Sequence, residues 1–364
     1  MSVVVAARRT AVVPAQGAFA ALSFHAIAAP VLQACLADAG LAPGDVDEVI
    51  VGNALGAGGN PARLCALAAG LPETVAGLTI DRQCVSGLDA ILLADALIAA
   101  GRAEVVIAGG VESASRRPLR QRTFADSRPA EAYDQAPFTP WPDRDPDMAE
   151  AADRLGRDLG ISRAAQDDWA IRSHATARAA DLAPEILPLL GVGRDDFTRD
   201  LTGRTCARAR ILAGTVTAAN TAVAADGAAF VVVVSDRVAQ RLRGPRARIL
   251  GGCTRGGRPD LPGLAPVAAA QEALRAAGLG VADLALAEIM EAYAAQAIAC
   301  VQGIGLDPGR VNTGGGALAR GHPIGASGAI NAVRLFHDLQ RTGGIGLAAI
   351  AAAGGLGTAL LLRV

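Results

Sequence analysis

Two residues far apart in the chain have the types and settings for nucleophilic catalysis. The first is Cys84, which follows the polar run Asp81-Arg82-Gln83 and precedes Val85-Ser86-Gly87 and a long apolar segment. Leu88, Ile91, Leu92, Leu93, Ala94, Leu97 and Ile98 surround nearly the whole helical circumference, so residues 81–101 read as the entry to a buried helix. A cysteine at the N-terminal end of such a helix meets the positive end of the macrodipole and several free backbone N–H groups. Both stabilise a thiolate and can hold an oxyanion. Ser86 and Gly87 are small enough to let a substrate carbonyl approach. A buried, inert thiol is the ordinary alternative for a single cysteine.

The second residue is His322. Residues 312–331 read NTGGGALARGHPIGASGAIN, with consecutive glycines at 314–316, then Gly321-His322-Pro323, Gly325 and Gly328. Such glycine density lets backbone pass close to another group, and Pro323 sets the chain direction after the histidine. A histidine presented on a rigid Gly/Pro loop suits a base for a thiol nucleophile. A structural histidine is the alternative.

The elements that must position this pair alternate between strand-like and helix-like. In residues 1–118, strands are expected at 3–7, 46–52, 78–81 and 105–109, with helices at 25–40, 61–69 and after Cys84. The continuous apolar run at 105–109 suits a central strand. Residues from Arg116 to about 204 change character: an arginine-rich stretch, a proline-rich stretch around Trp141, then helical spacing at 149–159 and 164–180 with Ser162 as N-cap. Residues 216–234 read as one extended run that resumes the core. From Ala247 the alternation returns, with helices at 266–277, 293–303 and 326–339, a strand at 284–289, and strands ending at Arg363. The segments VVIAGGVE and AAIAAAGGLG sit near equivalent places, so the halves look like a duplicated βαβα unit with the site between them. The expected organisation is an N-terminal half at 1–118 plus 205–240, an inserted loop domain at 119–204, and a C-terminal half at 241–364.

At 364 residues the chain is long for one core. Its 34 basic and 35 acidic residues nearly balance, every basic residue is arginine, and no basic tract points to nucleic acid or an anionic membrane surface. Cys35, Cys65, Cys84, Cys206, Cys253 and Cys300 form no CxxC pair, which argues against a zinc site or a disulfide framework and for a reducing, cytoplasmic setting. No signal peptide or membrane-spanning apolar stretch is expected.

The chain resembles the thiolase family over essentially its full length. The segments VVVAARRTAV, GLAPGDVDEVIVGNAL, NPARLCALAAGLP, RQCVSGLDAI, VVIAGGVES, TVTAAN, DGAA, LPGLAPVAAAQEAL, EAYAAQA and GGALARGHPIGASGA fall in the family's order. The resemblance implies an α/β thiolase-like fold: two duplicated βαβα halves layered α/β/α/β/α, with an inserted loop domain that covers the site and contacts the CoA part of the substrate. It implies Cys84 as the acyl-accepting nucleophile and His322 as its activator. It also implies an oxyanion hole from the backbone N–H groups of Cys84 and Ala353. Glu291 matches the glutamate of the family's Asn-Glu-Ala-Phe motif, with a purely structural carboxylate as the other reading. Ala222 and Gly355 fall at substrate-binding positions. No metal or permanently bound cofactor is implied, and the substrate is a coenzyme A thioester. The partners are that acyl-CoA and an acceptor or CoA, in a homodimer or homotetramer.

Two departures qualify this. The asparagine of Asn-Glu-Ala-Phe is Met290, and the family's second cysteine, the acid/base at the substrate α-carbon, is Ala351. On the CoA side, Ala222 replaces a serine and Val223 a glycine. Acyl capture on Cys84 needs only the nucleophile, the histidine and backbone donors. Claisen condensation or thiolysis by the ordinary route lacks its base. The leading expectation is therefore an acyl-CoA acyltransferase that forms a Cys84 thioester and is altered in the Claisen/thiolysis step. A working acetyl-CoA C-acetyltransferase or 3-ketoacyl-CoA thiolase, and a degenerate acyl-CoA-binding or partner subunit, are the alternatives.

Overall fold

The computed structural model describes every residue except Met1 and Ala57. The first half runs β1 (Ser2–Thr10), α1 (Phe24–Ala39), β2 (Glu48–Gly52), α2 (Pro61–Ala68), β3 (Ala76–Ile80), α3 (Ser86–Ala99) and β4 (Val105–Ser113). After an excursion containing α4 (Met148–Asp158) and α5 (Arg163–Ala179), β5 (Ala225–Ser235) completes it. The second half comprises β6 (Ala247–Gly256), α6 (Ala265–Ala277), β7 (Leu284–Ile289), α7 (Ala294–Ile304), α8 (Ile324–Thr342), β8 (Ile345–Ala352) and β9 (Leu356–Arg363).

Local chemistry explains the helix limits. Ser23 caps α1 by accepting from the Ala26 N–H, and Gly40 ends it at φ 67°. Ser162 caps α5 through the Ala165 N–H. The buried strand starting at Val105 reaches Ser113 rather than stopping at Gly109, because Gly110, Val111 and Glu112 keep pairing with β5. The run 216–234 is not one strand. A two-residue strand at Val216–Thr217 and β5 are separated by an irregular segment with backbone bonds to the second half, among them the Ala222 N–H to Ala292 O and the His322 N–H to Val223 O.

The strands form one 11-stranded mixed sheet in the order β7-β8-β9-β6-β1-β5-β4-β2-β3, with Val13–Pro14 and Ile186–Leu187 pairing beside it. The two half-sheets join where β1 pairs with β6 through Val3–Arg248 and Val4–Ala247. The path β2-β4-β5-β1 in the first half repeats as β7-β8-β9-β6 in the second, each with a parallel pair followed by antiparallel ones. Where the second half turns from β8 to β9 through residues 353–355, the first half inserts residues 114–224 between β4 and β5.

Strand alternation separates the layers. Ile50, Leu360 and Ala348 face a central core with Leu88 and Ile91 of α3 and Ile330 and Val333 of α8. Val49 and Val51 face α1 and α2, while Leu361 and Leu347 face α6 and α7. The result is an α/β/α/β/α stack with α3 and α8 between the half-sheets, the arrangement expected from the resemblance. Among the described residues no helix is long and apolar enough to cross a membrane, and no cluster of His, Cys, Asp or Glu could hold a metal ion.

Candidate active site

The two central helices meet through glycines. A side chain on Gly87 would lie 2.9 Å from the Ala329 nitrogen, and one on Gly328 would lie 2.6 Å from the Leu88 nitrogen. A Cβ on Gly110 would lie 2.0 Å from the Gly325 carbonyl oxygen, so the start of α8 rests directly on β4. This contact fixes the N-terminal ends of α3 and α8 side by side, and each end presents one member of the catalytic pair.

Cys84 precedes α3 in a tight turn. Gln83 adopts the left-handed conformation at φ 55°. The Ser86 hydroxyl closes the turn, accepting from the Arg82 N–H at 2.8 Å and donating to Gln83 O at 2.6 Å. Asp89 anchors the first helical turn to the other half, accepting from the Thr254 and Thr358 hydroxyls at 2.7 and 2.6 Å. On the facing loop Gly321 takes φ 110°, and the His322 N–H donates to Val223 O at 2.8 Å.

Cys84 Sγ lies 3.2 Å from His322 Nε2 although 238 positions separate them in sequence. His322 Nδ1 lies 2.6 Å from the Ser327 hydroxyl, which itself donates to Pro323 O at 3.0 Å. With its proton committed there, Ser327 accepts from Nδ1–H, and Nε2 is left with a lone pair toward the thiol. Burial pushes the Cys84 thiol up to about 12, against the pull of the backbone N–H groups of Cys84 and Ala353. Burial likewise pushes His322 down to about 4. The resting pair is therefore a neutral thiol hydrogen-bonded to a neutral imidazole. The thiolate expected from the helix end is not the ground state, because desolvation outweighs the helix field two residues before Ser86.

Both residues line a cavity of about 310 Å³, and Ala351, Ala352 and Ala353 line it too. Position 351 thus lines the same cavity as the pair while carrying only a methyl group. Met290 does not line the cavity; it is buried in the central core, with its N–H bonded to Ala349 O at 2.9 Å. Ala222 and Gly355 also lie outside the lining. They hold joints beside it, the Ala222 N–H donating to Ala292 O and Gly355 O accepting from the Gly257 N–H at 2.7 Å. Glu291 is buried behind the cavity, where its carboxylate accepts from Trp169 Nε1, the Ser173 hydroxyl, Asn312 Nδ2 and the Leu318 N–H. Those partners tie α5 of the excursion to the glycine loop, which is the structural reading of this carboxylate.

Sequence reasoning missed several wall residues. Met148, Ala151, Ala152 and Leu155 come from α4 at i, i+3, i+4 and i+7, and Phe138 comes from the loop before it. Their helical spacing was the available signal. Tyr293 and Gln296, around the start of α7, complete that side. Glu112 was also missed. Its buried carboxylate accepts from the N–H groups of Ala54, Leu55 and Gly325 and from Asn53 Nδ2, bracing β2, β4 and α8 under the site.

Known proteins are similar to this chain in sequence and in fold. Residues 2–237 match the thiolase N-terminal domain and residues 243–364 the thiolase C-terminal domain. The chain is 40% identical over 392 residues to an acetyl-CoA acetyltransferase of Cupriavidus necator, covering 99% of this chain and 98% of that protein. It is 39% identical over 395 residues to an acetyl-CoA acetyltransferase of Thiocystis violacea, with the same coverage. The crystal structure of the Bacillus anthracis acetyl-CoA acetyltransferase superposes with a TM-score of 0.94 at 34% identity, covering 100% of this chain and 98% of that one. The two matched domains follow each other over nearly the whole chain, and the chain belongs to the thiolase family.

Proposed function

We propose that this member of the family is an acyl-CoA acyltransferase that carries its acyl group as a thioester on Cys84 and runs the Claisen/thiolysis step differently from the route that uses a second thiol. The observation that carries the reading is the 3.2 Å contact between Cys84 Sγ and an imidazole whose Nδ1 is committed to Ser327, at the wall of an apolar cavity. Cys84 passes its proton to His322 Nε2 as sulfur attacks the acyl carbonyl. The oxyanion draws on the N–H groups of Cys84 and Ala353, and the departing CoA thiolate takes the proton back from His322. No resident cofactor enters this chemistry. A cavity of about 310 Å³ is near the lower end of ligand pockets, which favours short acyl groups. The altered step follows from Ala351, which lines the cavity without a proton to give. Six free cysteines fit a reducing, cytoplasmic setting.

Intact-mass spectrometry after mixing the protein with a panel of acyl-CoAs tests the reading. One acyl adduct per chain is expected from short acyl-CoAs, mapping to the Cys84 peptide and absent from Cys84→Ala. No adduct from any donor would remove the acyltransferase reading and favour a binding or partner subunit.

A further inference from the structure

The inference rests on the acyl-Cys84 reading and concerns the proton at the substrate α-carbon, which Ala351 cannot move. Among the described residues that line the cavity, the side chains able to exchange a proton are Cys84, His322, Asp147 and Tyr293. Cys84 and His322 are already paired with each other. Asp147 is engaged at the exposed start of α4, where one carboxylate oxygen accepts from the N–H groups of Ala149 and Glu150 at 2.8 and 3.2 Å. Tyr293 is different. Its hydroxyl makes no hydrogen bond among the described residues, yet it is not one of the sealed, unpartnered polar atoms of the interior. The hydroxyl is thus unpartnered and not sealed, on a side chain that lines the cavity together with Cys84, His322 and Ala351.

The backbone on either side of Tyr293 is held on both flanks. Thr221 bridges to it, the Ala222 N–H donates to Ala292 O at 3.0 Å, and the Ala294 N–H donates to Asn220 O at 2.9 Å. The ring therefore projects from a fixed point at the start of α7. The residue type is itself a change: where the family motif ends in phenylalanine, this chain has Glu291-Ala292-Tyr293. The pocket that has no thiol at 351 has a phenol at 293.

We propose that Tyr293 is the catalytic residue that exchanges the α-carbon proton in the carbon–carbon step, in place of a thiol at position 351. In the cleavage direction, the Cys84 proton moves to His322 Nε2 and sulfur adds to the 3-keto carbon of a 3-ketoacyl-CoA. The bond between C2 and C3 breaks with its electron pair going to C2, and C2 takes the proton of the Tyr293 hydroxyl. The products are acyl-Cys84 and acetyl-CoA. The imidazolium proton on His322 then neutralises the tyrosinate, so the net change is transfer of one proton from Cys84 to C2. Burial, with the nearby Asp147 carboxylate, holds the phenol above its usual pKa. A phenol in that state stays protonated at working pH and remains a stronger acid than the carbon it protonates.

The test compares two donors that give the same adduct. Acetyl-Cys84 formation from acetyl-CoA needs no α-proton, whereas formation from acetoacetyl-CoA does. In Tyr293→Phe, which installs the family's own side chain, the ratio of acetoacetyl-CoA to acetyl-CoA loading rates is expected to fall by about 10²–10⁴, the usual worth of one acid/base group. Adding Ala351→Cys to that variant is expected to restore the ratio. An unchanged ratio in Tyr293→Phe, or a wild type that loads from acetyl-CoA but never from acetoacetyl-CoA, overturns the role of Tyr293 alone. A wild type that acetyl-CoA does not load overturns the acyl-Cys84 reading beneath it.

Discussion

A thiol held near 12 beside an imidazole held near 4 cannot rest as an ion pair, so the nucleophile is generated only as it attacks. His322 is then a base already in its working form. Its folded pKa lies below the ordinary 6.5, so wild-type acyl loading is expected to stay level from pH 8 down past pH 6 and to decline only toward about 4. His322→Ala removes the acceptor 3.2 Å from sulfur, and loading at pH 7 should drop by about 10²–10⁴. In that variant the rate should climb with pH, because thiolate must form without help. Rapid-quench loading across pH checks both, and a variant with wild-type rates would return His322 to a structural role. Met290 illustrates the opposite case. It stands at an altered motif position, yet it is 1% exposed within the central core and away from the cavity wall, so an asparagine there would bury an amide among apolar side chains.

At the scale of elements, the site depends on how closely two helices approach two strands. Glu112, on β4, holds that geometry by accepting from the Ala54, Leu55 and Gly325 N–H groups at 3.0, 3.1 and 2.9 Å. Each buried N–H left without a partner costs about 1–3 kcal/mol, so Glu112→Ala is expected to lose at least about 3 kcal/mol of unfolding free energy. Urea titration measures this, and a loss under about 1 kcal/mol would show that the donors find other partners. Loading of Cys84 should slow as well, since Gly325 sets the start of α8 and so the place of His322.

At the scale of the whole molecule, a buried charge network ties the excursion to the core. Glu185 accepts from Arg9 Nε of β1 at 2.6 Å and also pairs with Arg334 of α8. Arg9 also pairs with Asp195 at 2.7 Å, and Arg334 with Asp338 at 2.8 Å. Burial opposes the Glu185 charge, but Arg9 and Arg334 outweigh it and hold the carboxyl down at about 2. The sign follows: a folded pKa below the unfolded 4.5 adds stability that is complete above 4.5 and disappears as pH falls toward about 2. Glu185→Gln leaves two buried guanidinium groups short of their anion, and a loss of about 3–5 kcal/mol is expected at pH 7. The gap between wild type and variant should narrow as pH falls through that window. A pH-independent gap in denaturant titrations would mean that Glu185 is not ionised in the folded protein.

Much of this molecule was legible in the chain. The buried helix after Cys84, the strand at 284–289, the helix ended by Gly40 and the repeat of the two halves all follow from local signals: apolar periodicity, glycine caps and alternation of element type. Cys84 and His322 stood out because residue type and glycine density coincide there. Other features belong only to the folded chain. Residues 218–224 look like strand, yet the backbone of Asn220, Ala222 and Val223 bonds to Ala294, Ala292 and His322, partners no local pattern reveals. The wall from Phe138 and α4, the brace at Glu112 and the setting of Tyr293 arise from contacts between segments far apart in sequence. The protonation state of the nucleophile was likewise decided by tertiary burial. A helix end favours the thiolate in any sequence, but only the closed core determines how much water is left to support the charge.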